Sequence, residues 1–470
     1  MIFSTNFFLF IFLPLFLLVY YLTPENKRSW TILIGSYSFY AWWRVDFLGL
    51  FIAVTLWNYL FGLKIAKADF KSATAKRLLA IGISGNLLTL AYFKYANFGV
   101  DTVNAVMSEL GLDAWLVTHV ILPIGISFYI FQAISYIIDV YRHDTPATKN
   151  LIDFAAFIAL FPQLIAGPVL RYKDIADQFT KRNHSLEKFS LGLQRFMLGF
   201  VKKVFIADSI APLVDKGFLL ESPTTADAWL SVFAYSAQLY FDFSGYADMA
   251  IGLGLMMGFR FCENFNQPYV SQSITEFWRR WHISLSSWLR DYLYISLGGN
   301  RGSKLKTYRN LLLTMLLGGL WHGANWTFII WGAWHGGILA TEKALNLNVK
   351  GNGLNLVKWS ITLLLVMIGW VVFRADSVSS AFTLYVSMFT NSGLELSSAY
   401  LNEITKLQLS MLALAWILII SCGVYTKLDN SKKSLSRFSA VFATLLLPIF
   451  ILSIFKLSAQ SYSAFLYFQF

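Results

Sequence analysis

Residues 311–337 read LLLTMLLGGLWHGANWTFIIWGAWHGG, and they place His322 and His335 in a run otherwise rich in Leu, Ile, Trp, Gly and Ala. An ionisable side chain at membrane depth is expensive and usually marks function. A helix starting just after Arg309 carries the His322 imidazole about 20 Å inward at about 1.5 Å per residue. That is past the midplane of a hydrocarbon core about 30 Å thick. Imidazole is also the side chain best suited to exchange a proton near neutral pH. The stretch therefore predicts an all-α membrane protein with a base buried inside it.

The whole chain agrees. Of its 470 residues, 56% are hydrophobic and 14% are charged, against about 25% charged in soluble domains. Ten-residue segments of alternating polarity, the mark of an outer-membrane barrel, are absent. Residues 5–22 have no basic leader and no small-residue cleavage site, so they read as a first membrane helix rather than a signal peptide. The two cysteines, Cys262 and Cys422, lie in unrelated segments and suggest neither a disulfide framework nor a thiolate metal site. A formal charge of +12 admits nucleic acid or acidic lipid as a partner. Its distribution favours the positive-inside bias of membrane proteins, with no nucleic acid required. Lys64, Lys67, Lys71, Lys76 and Arg77 share one loop, Arg301, Lys304, Lys306 and Arg309 a second, and Lys427, Lys432, Lys433 and Arg437 a third. Segment 99–119, by contrast, carries Asp101, Glu109 and Asp113 with no Lys or Arg.

With the basic loops on the cytoplasmic side, helices near 5–22, 30–43, 47–63, 78–98 and 120–138 alternate from an outside N-terminus. Segment 151–170, LIDFAAFIALFPQLIAGPVL, breaks the alternation, because both flanking loops are basic and Pro162, Gly167 and Pro168 interrupt it. It reads as re-entrant, which broken backbone survives only beside protein or a lined cavity. Further helices are expected near 190–219, 229–258, 359–373, 407–424 and 438–456. Parity makes 311–341 a hairpin or a broken helix rather than one crossing. The expectation is one domain over 1–470, with about 10–12 membrane segments.

Residues 276–301, EFWRRWHISLSSWLRDYLYISLGGNR, interrupt the hydrophobicity. On a continuous helix, Trp278, Trp281, Leu285, Leu289, Tyr292 and Leu293 form one stripe. His282 falls on the apolar flank, while Arg279, Arg280, Arg290 and Asp291 lie well away from the stripe centre. The plainer reading is an interfacial amphipathic helix with a hydrogen-bonded histidine. The sharper one is a helix roofing a cavity with His282 inside it, where Arg280 could meet an anionic donor or only lipid headgroups. Asp242 and Asp248, in QLYFDFSGYAD at 238–248, need partners at membrane depth. Proton relay, histidine orientation and structural pairing are all open for them. NFNQPY at 264–269 looks like a cavity-lining loop or a plain turn.

No G-x-S-x-G elbow, H-E-x-x-H pair or glycine-rich phosphate loop is present. His282, His322 and His335 are not at local metal-ligand spacings, so no metal is expected. Base-assisted transfer remains. A hydroxyl becomes a useful nucleophile when a base takes its proton, and donors such as Trp321 and Asn325 could hold an acceptor or a developing oxyanion.

Trp-Arg-Arg-Trp-His-Ile-Ser-Leu-Ser-x-Trp-Leu-Arg-Asp-Tyr at 278–292 and Leu-Trp-His-Gly-Ala-Asn-Trp at 320–326 together resemble the membrane-bound O-acyltransferases. FPQLIAGP at 161–168, YFDFSGYADMAIG at 240–252 and the terminal YFQF at 467–470 sharpen the match to the branch serving bacterial polysaccharides. The resemblance is densest over 120–345. It implies a multi-helix bundle with re-entrant segments and a cytoplasmic funnel, an essential histidine at His322 and a second polar residue at His282. It further implies a multi-pass protein of the bacterial inner membrane, with acetyl-CoA as the acyl donor and no bound cofactor. An acetyl group would pass to a periplasmic or membrane-anchored acetyltransferase partner that modifies an exported polysaccharide, with alginate the expected polymer. Peptidoglycan O-acetylation and teichoic acid D-alanylation are alternatives within the family. A transporter or flippase, which also needs broken helices and buried ionisable groups, is the alternative outside it.

Overall fold

The computed structural model describes residues 1–347, 355–428, 435–459 and 466; Lys432, Lys433 and the terminal YFQF at 467–470 lie outside the described residues. Among the described residues the secondary structure is helical, with no strand. Four helices among these residues are long and apolar enough to cross a membrane: Asp46–Lys67, Ala73–Glu109, Leu356–Arg374 and Lys406–Thr426. The other segments counted from sequence are shorter, broken or less apolar. The chain packs as two compact units, Met1–Leu193 with Ala250–Cys262, and Gln194–Met249 with Glu263–Phe470.

In the first unit, Asp46–Lys67 opens on Asp46 and closes on Lys64 and Lys67, each charge opposing the helix dipole at its end. The Ser72 hydroxyl caps Ala73–Glu109 by accepting from Ala75 N at 3.1 Å. The helix expected at 120–138 begins later, at Ile126, because Gly125 turns the chain at φ +74°. A Cβ at Gly125 would stand 2.7 Å from the Leu164 carbonyl oxygen, so only glycine fits there.

Segment 151–170 is broken, as its prolines and glycine predict. Leu151–Ala159 ends at Leu160, where ψ is 100°, and Phe161–Leu164 adds one more turn. Nine helical residues rise only about 13 Å, less than half a hydrocarbon core. Two of the groups at the break are paired: Phe161 N donates to the Ser36 hydroxyl at 3.1 Å, and Gln163 Nε2 donates to Gln132 Oε1 at 2.9 Å. The Phe161 ring packs against Phe12, Phe16 and Phe39.

In the second unit, 311–341 resolves into a hairpin: Lys304–His322, a turn at Gly323–Asn325, and Trp326–Ala344. Glycines bring the two helices together. A Cβ at Gly319 would lie 2.2 Å from the Phe328 carbonyl oxygen, and one at Gly332 would lie 2.4 Å from that of Met315. Close backbone approach through small residues is the usual packing device of membrane helices. The Asn325 side chain caps the return helix, its Oδ1 accepting from Thr327 N at 3.1 Å. A helix that sequence patterning did not indicate, Val378–Phe389, begins at a reciprocal cap between Ser377 and Ser380.

Segment 276–301 corrects the expectation of one continuous helix. Ile274–Arg280 stops, and Ile283–Trp288 restarts after His282, which adopts a left-handed conformation at φ 42°, ψ 54°. The apolar stripe is real, but a tertiary interaction breaks the helix beneath it.

Candidate active site

The break is held from two sides. Upstream, the buried Glu342 carboxylate of the return helix accepts from Ile274 N at 2.6 Å, Thr275 N at 2.9 Å and the Thr275 hydroxyl at 2.7 Å. A carboxylate at a helix start meets both free N–H groups and the dipole. Downstream, the 264–267 loop runs beside the break. Asn264 O accepts from Ile283 N at 2.9 Å, and Asn266 N donates to Arg280 O at 2.9 Å.

Asn264 also sets the state of His282. Its Oδ1 accepts from Ser284 N at 3.2 Å and from the Ser284 hydroxyl at 2.9 Å, and it lies 3.1 Å from His282 Nδ1. A backbone N–H can only donate, so this atom is the amide oxygen, and Nδ1 must carry the proton of the neutral imidazole. Nε2 then presents a bare lone pair. It is buried and has no protein hydrogen-bond partner. A left-handed β-carbon residue costs about 1–3 kcal/mol and persists where its surroundings over-determine it. Here the strained backbone aims a proton acceptor.

His282, His322 and His335 are linked through two indoles. His282 and Trp321 have ring centroids 6.1 Å apart, Trp321 and His322 5.1 Å, His322 and Trp331 5.1 Å, and Trp331 and His335 5.0 Å. Phe243 meets the His282 ring edge-on at 4.7 Å, and Phe373 meets His322 at 5.2 Å. Trp278 packs on His335 at 5.4 Å. Beyond His282 Nε2, the buried polar atoms lacking a protein partner in this chamber include both ring nitrogens of His335, the indole nitrogens of Trp278 and Trp331, and Thr327 Oγ1. Buried polar groups are nearly always paired, so such a cluster suits a polar ligand.

His322 ends its helix beside an open cavity of about 510 Å³, lined by Gly323, Asn325, Phe328, Phe373, Arg374 and Asp376 among others. Phe328 and Phe373, which pack on His322, form part of its wall. Arg374 enters the cavity anchored to Asp215 at 2.9 Å.

The remaining sequence candidates are engaged in structural pairings. Asp242 pairs with Lys203 at 2.7 Å and accepts from Leu466 N at 3.2 Å. Asp248 pairs with Arg195 and Lys202, each at 2.6 Å. Arg280 braces the break, bonding Glu276 at 2.9 Å and Asn266 O at 3.1 Å. Asn325 holds the hairpin turn, its Nδ2 donating to Asp376 O at 3.1 Å. Tyr269 of the NFNQPY loop ties three segments: its hydroxyl donates to Ser236 O at 2.7 Å and accepts from Trp370 Nε1 at 3.1 Å, and its carbonyl accepts from Trp359 Nε1 at 2.7 Å. Glu342, Phe373 and Arg374 were not singled out from sequence. A carboxylate directly after a long uncharged run was the available signal for Glu342.

These features define a membrane-embedded acyltransferase. Residues 146–387 match the membrane-bound O-acyltransferase family, and the chain belongs to that family. It is 59% identical to a Pseudomonas putida protein named "Probable alginate O-acetylase", over all of both chains. It is 35% identical to a peptidoglycan O-acetyltransferase of Helicobacter pylori, over 100% of this chain and 98% of that one. Against a Bacillus subtilis teichoic acid D-alanyltransferase the identity is 31%, over 45% of this chain and 56% of the relative.

Proposed function

We propose that this protein moves an acetyl group from a cytoplasmic donor across the bacterial inner membrane, to supply O-acetylation of exported alginate. The observation that carries the reading is the pair of motif histidines flanking Trp321, one with its Nε2 lone pair aimed by Asn264 and the other beside a cavity. The full-length similarity to the Pseudomonas putida protein selects alginate among the family's polymers. The Helicobacter pylori relative keeps peptidoglycan as the competing substrate.

In this reading the donor is acetyl-CoA. His322 takes the proton of an acceptor hydroxyl as its oxygen bonds to the acetyl carbon. The carbon–sulfur bond of the thioester breaks, and the departing thiolate is protonated. A buried base within hydrogen-bond reach contributes about 10²–10⁴-fold. His282 is the second polar residue; its Nε2 accepts a hydrogen bond from donor or acceptor and orients it against His322. Trp321 packs on both imidazoles and Trp331 on His322, and flat walls of this kind suit a small acyl group. The acceptor is a periplasmic or membrane-anchored partner that finishes the transfer, because a long polyanion needs many contacts.

The test is radiolabelled acetyl turnover by the purified protein, with and without the periplasmic partner. The His322→Ala variant is expected to lose turnover at matched membrane levels. Near-normal acetylation by that variant would remove His322 from the mechanism. Efficient acetylation of the polymer by the protein alone would refute the relay.

A further inference from the structure

The first unit contains a cationic cluster that the acyl-transfer site does not use. The Arg28 guanidinium stands 3.1 Å from His184 Nδ1 and over the Tyr20 ring at 5.3 Å. Tyr20 donates its hydroxyl hydrogen to Met257 O at 2.6 Å, so its oxygen accepts from His184 Nε2, 3.0 Å away. Arginine can only donate, which makes Nδ1 the acceptor and His184 a neutral brace for Arg28. Burial, then Arg28 and Arg182, hold the His184 imidazole below its ordinary range. Arg182 stacks over Phe259 at 4.9 Å, and Lys188 bonds the Gly258 carbonyl.

Three fixed cations therefore stand around His184. The contacting carboxylate is Glu25, 3.3 Å from Arg28 but 81% exposed, so solvent screens it. Arg28 itself is only 9% exposed. Glu187, exposed in the next helix's first turn, and Asp153, which acts on Arg182, offset part of this charge, and Arg260 adds to it beside Lys188; the positive surplus suits an anion. A cavity of about 340 Å³, lined by Tyr21, His184, Ser185, Leu186 and Phe189, lies beside the cluster, and Arg28 stands directly behind two of these residues, His184 and Tyr21. The helix Leu186–Phe200 begins at its edge; Ser185 accepts from Lys188 N at 3.1 Å and Phe189 N at 3.0 Å, leaving the N–H groups of Leu186 and Glu187 at the positive dipole end.

The rest of the opening is apolar. Leu22 is 75% exposed and Leu186 84%. Cations beside bare leucines suit one kind of molecule, with a phosphate at one end and hydrocarbon at the other. We propose that this cavity binds an anionic phospholipid. Its phosphate oxygens accept from Arg28 and from the first turn of Leu186–Phe200, and its acyl chains lie along Tyr21, Leu22 and Leu186.

The test is native mass spectrometry of the purified full chain, delipidated and titrated with phosphatidylglycerol or phosphatidylcholine. Wild type is expected to retain phosphatidylglycerol about tenfold more tightly, the equivalent of one good charge-assisted hydrogen bond. The Arg28→Gln/Arg182→Gln double variant should lose that preference. Leu186→Glu should also lose it. That change sits on an exposed side chain, puts a carboxylate at the cavity mouth, and leaves thermal unfolding in detergent unchanged. Equal retention of the two lipids by wild type would overturn the proposal. So would undiminished phosphatidylglycerol binding by Leu186→Glu, or displacement of the lipid by millimolar inorganic phosphate, which would mark a free-phosphate site.

Discussion

Replacing Asn264 by alanine tests whether the left-handed turn at His282 is built for chemistry. The Asn264 Oδ1 serves three donors, His282 Nδ1 and the backbone and hydroxyl of Ser284. The hydroxyl can rotate to another acceptor. The other two N–H groups are buried and would lose their partner. At about 1–3 kcal/mol for each buried donor left unpaired, Asn264→Ala should cost about 2–6 kcal/mol locally, on a turn already strained by about 1–3 kcal/mol. The imidazole would then be free to change tautomer and to swing. Misplacing a positioning group by about 1 Å can cost about 10²-fold in rate. Asn264→Asp separates the two effects. A carboxylate still accepts from all three donors, and the amide nitrogen it replaces has no protein partner. It adds a negative charge that favours imidazolium over the neutral base. The assays are thermal unfolding in detergent and initial rates of radiolabelled acetyl transfer. Asn264→Ala should lose both stability and rate, and Asn264→Asp chiefly rate. An alanine variant within twofold of wild-type rate and with unchanged unfolding would refute the assignment of His282 as an aimed hydrogen-bond acceptor.

Three further outcomes are expected. His282→Gly and His282→Ala should both lose transfer, but the glycine variant should unfold later, since alanine pays about 1–2 kcal/mol for the left-handed backbone; equal melting temperatures would argue against strain at this turn. Gly332→Ala, whose Cβ would meet the Met315 carbonyl oxygen at 2.4 Å, should destabilise the hairpin strongly, whereas Gly337→Ala, with open space around it, should be silent; similar unfolding of the two would show that the helices are not packed through Gly332. Single cysteines placed at the exposed Lys149 and Thr180, on either side of the broken 151–170 segment, should label from the cytoplasmic face only; labelling from opposite faces would make that segment a full crossing.

Much of this arrangement was legible because membrane burial forces simple patterns. Long apolar runs located the helices of both units, and Pro162, Gly167 and Pro168 located the break near Leu160. Charge parity alone left 311–341 as a hairpin or a broken helix, and the turn at Gly323–Asn325 decides for the hairpin. His282 and His322 stood out as ionisable groups in apolar sequence. What stayed hidden depends on residues far apart in the chain. Periodicity reads 276–301 as one helix because good helix formers lie on both sides of His282. The break comes from Asn264, 18 residues away, and is anchored by Glu342, 68 residues from Ile274. The start of Ile126–Arg142 was misplaced although Gly125 was visible, since the need for a positive φ there comes from Leu164. Asp242 attracted attention as an isolated carboxylate, but its partner Lys203 lies on another helix.

Tyr269 has a consequence for how the protein is made. Its hydroxyl waits on Ser236, already synthesised, and on Trp370, which emerges from the ribosome 101 residues later. Phe373, against His322, follows three residues after that. A chain released at residue 345 would therefore contain both hairpin helices, yet its histidines would lack the helix that walls them in. Such an intermediate has no way to finish itself. The interval before Leu356–Arg374 arrives is the period when the half-made chain most needs shelter from the insertion machinery, and truncation anywhere inside it should yield a protein cleared by membrane proteolysis rather than a slow enzyme.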